Sequence, residues 1–240
     1  MKKQESSNAQ AKKTPAAKKK SVKSGARKIT DATRKKLVKQ TLEALREEYP
    51  NPSTALVYGD PFQLLVAVIL SAQCTDKRVN MVTPTLFKLF PTVKAFADAP
   101  IQELEEAIKT CGFYRSKARN ISNAAKKIVA EHAGIVPDDF DKLLALPGVG
   151  RKTANCVMGN AFQIASGFVV DTHVMRLSRK IGLSDEKTPE KVEADLNRLV
   201  PRDEWIDASH RLIYLGRQYC IARRPLCQKC PLESFCLKRP

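Results

Sequence analysis

The sequence has no apolar run long enough to cross a membrane. Its longest strongly apolar stretch is the seven residues 64–70, whereas a bilayer-spanning helix needs about 20. The N-terminus also lacks the apolar segment that a secretory signal requires. Glycine is scarce, with 10 in 240 residues, and alternating apolar and polar positions are few, which argues against an all-β fold. These absences predict a cytoplasmic protein with no membrane association.

Acidic residues are few compared with basic ones, above all at the N-terminus. The chain has 42 Lys and Arg against 25 Asp and Glu, for a net charge of +17. Residues 1–28 carry ten of the basic residues and one acid, Glu5, and contain no Leu, Ile, Phe, Trp or Tyr. Because such a segment cannot bury enough apolar surface to offset the entropy of ordering it, we interpret it as a disordered basic arm. Its role is open between a solubilising tail and a tether to DNA.

Four of the seven cysteines lie close together near the C-terminus. They follow the spacing C-x6-C-x2-C-x5-C and are Cys220, Cys227, Cys230 and Cys236. The odd total and the tight cluster favour a metal site in a reducing compartment over a disulfide framework. The spacing is compatible both with Zn²⁺ and with a cubane iron–sulfur cluster. Arg223 and Arg224 lie in the loop between the first two of these cysteines, where adjacent guanidinium groups are suited to clamping a phosphate.

Nearly every segment after residue 28 has a helical period, which predicts about nine or ten helices and no sheet. Asp60 and Pro61 form an N-cap and first-turn pair before a run, to about Ser71, that is apolar on almost all sides. We interpret this run as a buried central helix. A buried strand is the alternative, although about 12 residues is long for a strand. The sequence therefore predicts an all-α fold.

Two helix ends are predicted from single residues. Asp31 is expected to cap the first helix, because an aspartate side chain can accept from the free amides of a first turn. Gly167 is expected to stop a helix that begins at Arg151 and runs to about Ala165, because glycine adopts the conformation that ends helices.

The string LPGVGRKTA, at 146–154, joins two short helices through a glycine-containing turn. Gly148 and Gly150 let the backbone adopt positive φ and let a ligand approach closely, and the helix N-terminus that follows favours an anion. Val149 is expected to anchor the turn in the core. These features predict a phosphate-binding hairpin that includes the basic Arg151. An ordinary helix–helix turn is the alternative.

Two ionisable residues near helix starts are candidates for chemistry. Lys152 lies in the first turn after the hairpin, where the helix dipole, together with any burial, disfavours its charged form. It is therefore suited to act as a nucleophilic amine, and a phosphate contact is the alternative. Asp171 precedes a helix, so it is suited to capping that helix and to stabilising charge at a reacting centre. His173 is expected to have a packing role.

The strings LPGVGRKTAN, VDTHV and LSAQ-x-TD, together with the cysteine-rich C-terminus, resemble the endonuclease III family of DNA glycosylases in the helix-hairpin-helix superfamily. The resemblance covers about residues 30–240. It implies two all-α lobes. One is a six-helix barrel with the hairpin, residues 54–164, and the other is an iron–sulfur cluster lobe, residues 29–53 and 165–240. The four C-terminal cysteines are then expected to hold a [4Fe-4S] cluster.

The resemblance also implies roles for individual residues. Lys152 matches the catalytic lysine of the family and Asp171 its catalytic aspartate. Gln73 matches the residue that fills the gap left by the flipped base. Phe113 lies in a loop that matches a second wedge, where leucine is frequent.

The implied activity is that of a bifunctional DNA glycosylase and AP lyase in base excision repair. Such an enzyme excises oxidised or ring-saturated pyrimidines through a lysine Schiff base and cleaves the abasic strand by β-elimination. The implied partner is double-stranded DNA with damaged pyrimidines or abasic sites, bound by a monomer in the cytoplasm at the nucleoid.

Two other functions fit parts of the sequence. The first is that of a related adenine glycosylase, a family that usually lacks a lysine at the position of Lys152. The second is that of a non-enzymatic, metal-stabilised DNA-binding protein that uses the hairpin only to hold phosphates. Strand cleavage at an abasic site distinguishes an enzyme from the second alternative.

Deleting residues 1–28 is expected to weaken non-specific DNA binding and to reduce its dependence on salt. Each cation that pairs with a phosphate contributes roughly 0.9 to the slope of log affinity against log salt concentration. Folding and the chemical step should change little, because the arm contains no core residues. Titrations of duplex DNA at several salt concentrations measure the slope, and an equal slope in both proteins would show that the arm does not contact DNA.

Overall fold

The computed structural model describes residues 29–239, so the predicted disordered arm lies outside the described residues. The all-α prediction is confirmed, since this part of the chain forms helices and turns but no strand. None of its helices combines the length and the apolar character needed to cross a bilayer. The α-helices are α1 Asp31–Glu48, α2 Pro61–Ser71, α3 Asp76–Leu89, α4 Val93–Asp98, α5 Ile101–Ala107, α6 Tyr114–Glu131, α7 Phe140–Leu144, α8 Arg151–Phe162, α9 Thr172–Ile181, α10 Pro189–Leu199 and α11 Trp205–Gln218.

The helices enclose two separate hydrophobic cores. Helices α2 to α8 surround the first core, whose buried residues lie between Leu56 and Met158. Helix α1 packs with α9 to α11 around the second core, whose buried residues come from 37–45 and 168–232. We call these units the first lobe and the second lobe. The first lobe contains seven helical segments instead of six, three of which are at most seven residues long. The lobe boundaries near residues 54 and 165 stay a prediction.

Helix α2 passes through the middle of the first lobe. The side chain of Asp60 accepts a hydrogen bond from the Gln63 amide at 2.9 Å, and Pro61 occupies the first turn. Residues 64–70 are all buried, because α3, α6 and α8 pack around the helix. The expected central helix is therefore confirmed, and the alternative of a strand is wrong.

The structure corrects the two predicted helix ends. The first helix is capped by Thr30, whose hydroxyl accepts from the Thr33 amide at 3.2 Å, and Asp31 is instead the first helical residue. Helix α8 ends at Phe162, before Gly167, because Gln163 adopts the left-handed conformation with φ of 57°. The chain then continues without regular secondary structure. Gly167 serves close packing, since a Cβ there would lie 2.5 Å from Oε1 of Glu193.

The irregular segment 163–171 crosses from the first lobe to the second. Its backbone is held by side chains of the second lobe: the Phe168 amide donates to Oδ1 of Asn197 at 2.8 Å, and the Val169 amide donates to Oγ of Ser209 at 3.0 Å. Backbone amides need such partners when they leave regular secondary structure in a buried setting. The end of this segment, which carries Asp171, is therefore fixed to the second lobe.

Candidate active site

Lys152 and Asp171 line the same cavities, although they belong to different lobes. A cavity of about 480 Å³ contains both residues together with Gln73 and Thr153. An adjoining cavity of about 70 Å³ also contains both, with Cys156 and Ser209. The larger volume lies within the range of roughly 300–1,000 Å³ that is usual for small-molecule sites. The structure thus joins the two predicted catalytic residues in one cleft between the lobes.

Asp171 has the capping role expected from the sequence. Its Oδ1 accepts a hydrogen bond from the Val174 amide at 2.8 Å, which fixes the carboxylate at the start of α9. Lys152 is the second residue of α8 and is exposed. The expectation that burial desolvates its amine is therefore wrong for the free protein. An exposed lysine at the mouth of a cavity instead becomes desolvated when a ligand covers it.

An ion pair between the lobes closes one side of the cavities. Nη2 of Arg217, on α11, donates to Oδ2 of Asp76 at 2.7 Å, and Asp76 is the first residue of α3. Both residues line both cavities. The pair therefore brings a carboxylate and a guanidinium group, in addition to Lys152 and Asp171, to the place where a ligand would bind.

His210 lies on the other side of the smaller cavity. Its Nε2 is 2.9 Å from Oδ1 of Asn160, and the amide nitrogen of Asn160 donates to the Cys156 carbonyl at 2.8 Å. Because the amide nitrogen of Asn160 is already a donor, its oxygen must accept from His210, so Nε2 carries the proton. Loss of hydration lowers the pKa of His210 below its usual 6.5. The negative charge of Asp207 opposes this shift, and the positive charges of Lys152 and Arg217 add to it. A neutral imidazole therefore borders the site.

The hairpin between α7 and α8 has positive φ at only one of its two glycines. Gly150 has φ of −98°, so the expectation of positive φ is wrong for that position. Gly148 has φ of 79°, and a Cβ there would lie 2.7 Å from Cβ of Asn120, so this position needs glycine for both conformation and space. Val149 is buried in the first core, as expected. A Cβ on Gly150 would meet no atom of the described residues within 4 Å, and among these residues no side chain caps the start of α8. The first amides of α8 are therefore available to an anion.

Arg151 makes a strong contact within the protein. Its guanidinium group forms a two-point ion pair with Glu193 of α10, with Nη2 to Oε1 at 2.8 Å and Nε to Oε2 at 3.1 Å. It also lies over the ring of Phe140 at 5.0 Å. The sequence predicted a phosphate contact for Arg151, and the structure shows its donors directed at the second lobe.

Gln73 and Phe113 occupy neighbouring loops beside the larger cavity. Both are exposed and both adopt the left-handed conformation, with φ of 53° and 58°. A Cβ on Gly112 would lie 3.7 Å from the Gln73 carbonyl oxygen, so the loops are in contact. Left-handed backbone at residues other than glycine costs of order 1 kcal/mol or more and is concentrated at functional sites. The two residues predicted to enter DNA thus share an unusual backbone conformation.

The ammonium group of Lys117 joins these two loops from inside. Lys117 is buried on α6, and its Nζ donates to the Leu70 carbonyl at 2.8 Å, near the end of α2. Desolvation lowers the pKa of this lysine. The contact ties the start of α6, which follows Phe113, to the end of α2, which precedes Gln73.

The four C-terminal cysteines lie together against the second core. All four are partly buried free thiols. Burial raises the pKa of Cys230, and the nearby Cys236, Cys220 and Cys227 raise it further. Each thiol therefore lies within electrostatic range of Cys230, as expected for ligands of a common centre.

The chemistry of these four donors fits a metal centre. Thiolate sulfur is the ligand type of four-cysteine zinc sites and of cubane iron–sulfur clusters alike. The donor set therefore agrees with both centres that the cysteine spacing allows.

The loop of Arg223 and Arg224 and one cavity of the first lobe do not line the cleft of Lys152 and Asp171. Arg223 and Arg224 are both exposed, on a loop closed by a hydrogen bond from the Leu226 amide to the Tyr219 carbonyl at 2.8 Å. A cavity of about 710 Å³ in the first lobe, whose lining includes five phenylalanines, contains neither Lys152 nor Asp171. Cavity size alone therefore does not locate the chemistry.

Four polar residues at or near the site were not predicted from the sequence: Asp76, Glu193, His210 and Arg217. Asp76 belongs to the string LSAQ-x-TD, so its position three residues after Gln73 was an available signal. Arg217, Glu193 and His210 gave no such signal, because each lies on an amphipathic helix where polar residues are ordinary. His173 lines the larger cavity and packs on Gly216, where a Cβ would lie 2.7 Å from its Nδ1, in agreement with the packing role expected for it.

Comparison with known proteins agrees with this geometry. Residues 66–202 match the family model of the HhH-GPD superfamily base excision DNA repair protein. The chain is 49% identical over 205 residues to endonuclease III of Synechocystis sp., covering 85% of this chain and 94% of the relative. It is 42% identical over 197 residues to endonuclease III of Escherichia coli strain K12, covering 82% and 93%. A solved structure of a trapped endonuclease III–DNA covalent intermediate is similar with a TM-score of 0.82 and 41% identity, covering 85% of this chain and 96% of that one.

A family match over more than half of the chain identifies a base excision DNA repair protein of the HhH-GPD superfamily. Within that superfamily the chain belongs to the endonuclease III family, and it is a DNA glycosylase with AP lyase activity. The family and the activity expected from the sequence are confirmed. The alternative of a non-enzymatic DNA-binding protein is wrong.

His210 should make the stability of the protein depend on pH below about 6.5. Its pKa is lower in the folded protein than in the unfolded chain, so the unfolded chain takes up the proton first. Stability should therefore fall as the pH drops below 6.5, by at most about 1.4 kcal/mol per pH unit for one proton. His210→Gln retains a donor for Asn160 but does not titrate, so it should lose less Tm than the wild type between pH 7.5 and 5.5. His132→Gln, away from both cavities, is the control, and equal Tm losses in the wild type and His210→Gln would contradict this account.

Proposed function

We propose that Lys152 is the nucleophile and Asp171 its charged partner in a Schiff-base reaction on damaged DNA. The observation that carries the proposal is that both residues line one cleft while each is anchored to a different lobe. Lys152 is exposed and able to reach a substrate, whereas Asp171 is fixed by its cap to α9. An exposed amine in the same cleft as a carboxylate fixed by its cap suits attack on a carbon that develops positive charge.

The reaction begins when the amine of Lys152 attacks C1′ of the extruded nucleotide. The bond from C1′ to the base breaks, and the base leaves with the electron pair and takes up a proton. Asp171 stabilises the positive charge that develops on the sugar and assists proton transfer. The sugar ring then opens to an imine between Lys152 and C1′. Because the imine accepts electrons, removal of a C2′ proton expels the 3′ phosphate and cleaves the strand.

The proposed DNA-binding surface surrounds this cleft. The turn formed by Gly148, Val149 and Gly150 presents free amides of α8 to one phosphate, and the exposed Arg223 and Arg224 supply charge on the second lobe. Gln73 and Phe113 enter the duplex where the nucleotide leaves it. Inserting side chains in this way offsets part of the cost of unstacking, which is a few kcal/mol and is smallest for a damaged base.

We propose oxidised and ring-saturated pyrimidines as substrates, since the relatives are named endonuclease III and the family resemblance implies this lesion class. The groups that face the larger cavity include a carboxylate at Asp76 and a guanidinium at Arg217. Such groups suit the carbonyl and amide edges of a pyrimidine. We further propose that the protein acts as a monomer on cytoplasmic DNA at the nucleoid.

The four C-terminal cysteines fit a [4Fe-4S] cluster. The fit rests on four thiolate donors within 17 residues, and the choice of a cluster over Zn²⁺ rests on membership of the endonuclease III family. Cys220, Cys227, Cys230 and Cys236 would each supply one thiolate. When bound, the cluster would cross-link the C-terminal segment and so hold the loop of Arg223 and Arg224 at the edge of the DNA-binding surface.

Replacing the nucleophile should separate binding from chemistry. Lys152→Gln removes the amine and leaves the hairpin amides and Arg223–Arg224 intact, so it should bind abasic DNA but lose strand cleavage and covalent trapping by borohydride. Asp171→Asn should bind similarly and react far more slowly, because it mainly loses transition-state stabilisation. Wild-type protein in the same trapping assay is the control. If Lys152→Gln still traps and cleaves at the wild-type rate, another amine is the nucleophile.

The purified protein is expected to be yellow-brown and to contain about four iron atoms per chain. Metal analysis of aerobic and anaerobic preparations tests this, and stoichiometric zinc in both would overturn the assignment. Cys227→Ala should lose the cluster and much of the soluble protein. Cys74→Ala, a substitution in the first lobe outside the four-cysteine set, should keep the full iron content.

A further inference from the structure

The carboxylate of Glu193 lies buried where the two lobes meet. Glu193 belongs to α10 of the second lobe and is 5% exposed. Its Oε1 accepts from Nη2 of Arg151 at 2.8 Å and from Nδ2 of Asn155 at 3.1 Å, and its Oε2 accepts from Nε of Arg151 at 3.1 Å. A buried carboxylate needs donors for its charge. Here all three donors come from α8, a helix of the first lobe.

The two donor residues flank the proposed nucleophile. Arg151 immediately precedes Lys152, and Asn155 follows it by three positions. Arg151 and Asn155 are four residues apart, so they lie one above the other on the same face of α8. Two contacts on one face, one helical turn apart, fix both the rotation of the helix about its axis and its displacement along that axis. The direction in which Lys152 leaves the helix is therefore fixed as well.

The same carboxylate contacts the chain that leads to Asp171. Oδ1 of Asn155 accepts from Oγ of Ser166 at 2.8 Å. At Gly167 a Cβ would lie 2.5 Å from Oε1 of Glu193, so only glycine lets the backbone pass this close. Asp171 follows four residues later at the end of the same irregular segment. Glu193 thus joins the helix of one proposed catalytic residue to the segment that carries the other.

We propose that Glu193 is a positioning residue whose ion pair with Arg151 sets Lys152 and Asp171 at the separation that the reaction requires. This inference rests on the proposed function, because it takes those two residues as the reacting pair. Misplacement of a reacting group by about 1 Å can reduce a rate by as much as 100-fold. Arg151 then acts between the lobes, and phosphate binding at the hairpin is left to the backbone amides.

The test is the variant Glu193→Gln, which keeps the size of the side chain and one acceptor oxygen but removes the charge. Two quantities are measured: the single-turnover rate of abasic-strand cleavage at saturating protein, and the Kd for a duplex that contains a non-reactive tetrahydrofuran abasic analogue. We expect the rate to fall about tenfold because the amine is less well aligned. We expect the Kd to change less than threefold, because the DNA-contacting groups are unchanged.

Glu204→Gln is the matched control. Glu204 also forms a two-point ion pair with an arginine, Arg46, but both partners belong to the second lobe and lie outside both cavities. It should cleave at the wild-type rate. The proposal is wrong if Glu193→Gln cleaves as fast as the wild type, or if Glu204→Gln loses as much activity as Glu193→Gln.

Variants of the partner complete the test. Arg151→Lys retains the charge but not the two-point geometry, so it should fold and lose an intermediate part of the rate. Arg151→Gln should match Glu193→Gln in rate, with an unchanged salt dependence of DNA binding. A salt slope reduced by about 0.9 with a normal rate at saturation would assign Arg151 to a phosphate and overturn the proposal. Lys152→Gln in the same assay tests the nucleophile separately, since cleavage by that variant would refute the proposed function whatever Glu193 does.

Discussion

The placement of Asp171 depends on how the segment between α8 and α9 satisfies its backbone hydrogen bonds. This segment has no regular secondary structure and partly lines both cores, so its amides and carbonyls need partners from side chains. Asn197 and Ser209 accept from it, and Arg202 donates to the Ala165 carbonyl at 3.0 Å. All three partners lie in the second lobe. The hydrogen bonds that satisfy the backbone of this segment therefore also fix the position of Asp171 on the second lobe.

The sequence predicted the central helix because several local signals agreed. An aspartate cap, a proline and an all-round apolar surface after Asp60 all indicate one buried helix. The cap of the first helix was wrong by one residue, because Thr30 and Asp31 are adjacent residues that can both cap a helix. The end of α8 could not be predicted. Gln163 is left-handed because of the path that the chain takes afterwards, and Gly167 is required by a side chain 26 positions away.

The residues of the site also fall into those with a local sequence signal and those defined only by tertiary contacts. The hairpin glycines, Lys152 and Asp171 stand in short strings that carry their own signal, and the structure brings the two ionisable residues into one cleft. The partner of Arg151 carries no such signal. Glu193 is one acid among several on an amphipathic helix, and its burial becomes evident only when α10 packs beside α8. Ion pairs between the lobes are tertiary contacts, and the periodicity of a single helix does not predict them.

The buried Lys117 has a consequence for how the enzyme searches DNA. Its ammonium group ties α6 to the end of α2, and the loops of Gln73 and Phe113 touch each other. These contacts restrain the spacing of the two loops. In the proposed binding mode, a restrained pair of loops leaves more of the distortion to the duplex, whose stiffness varies with sequence. Sites that bend easily would then cost the least free energy to engage.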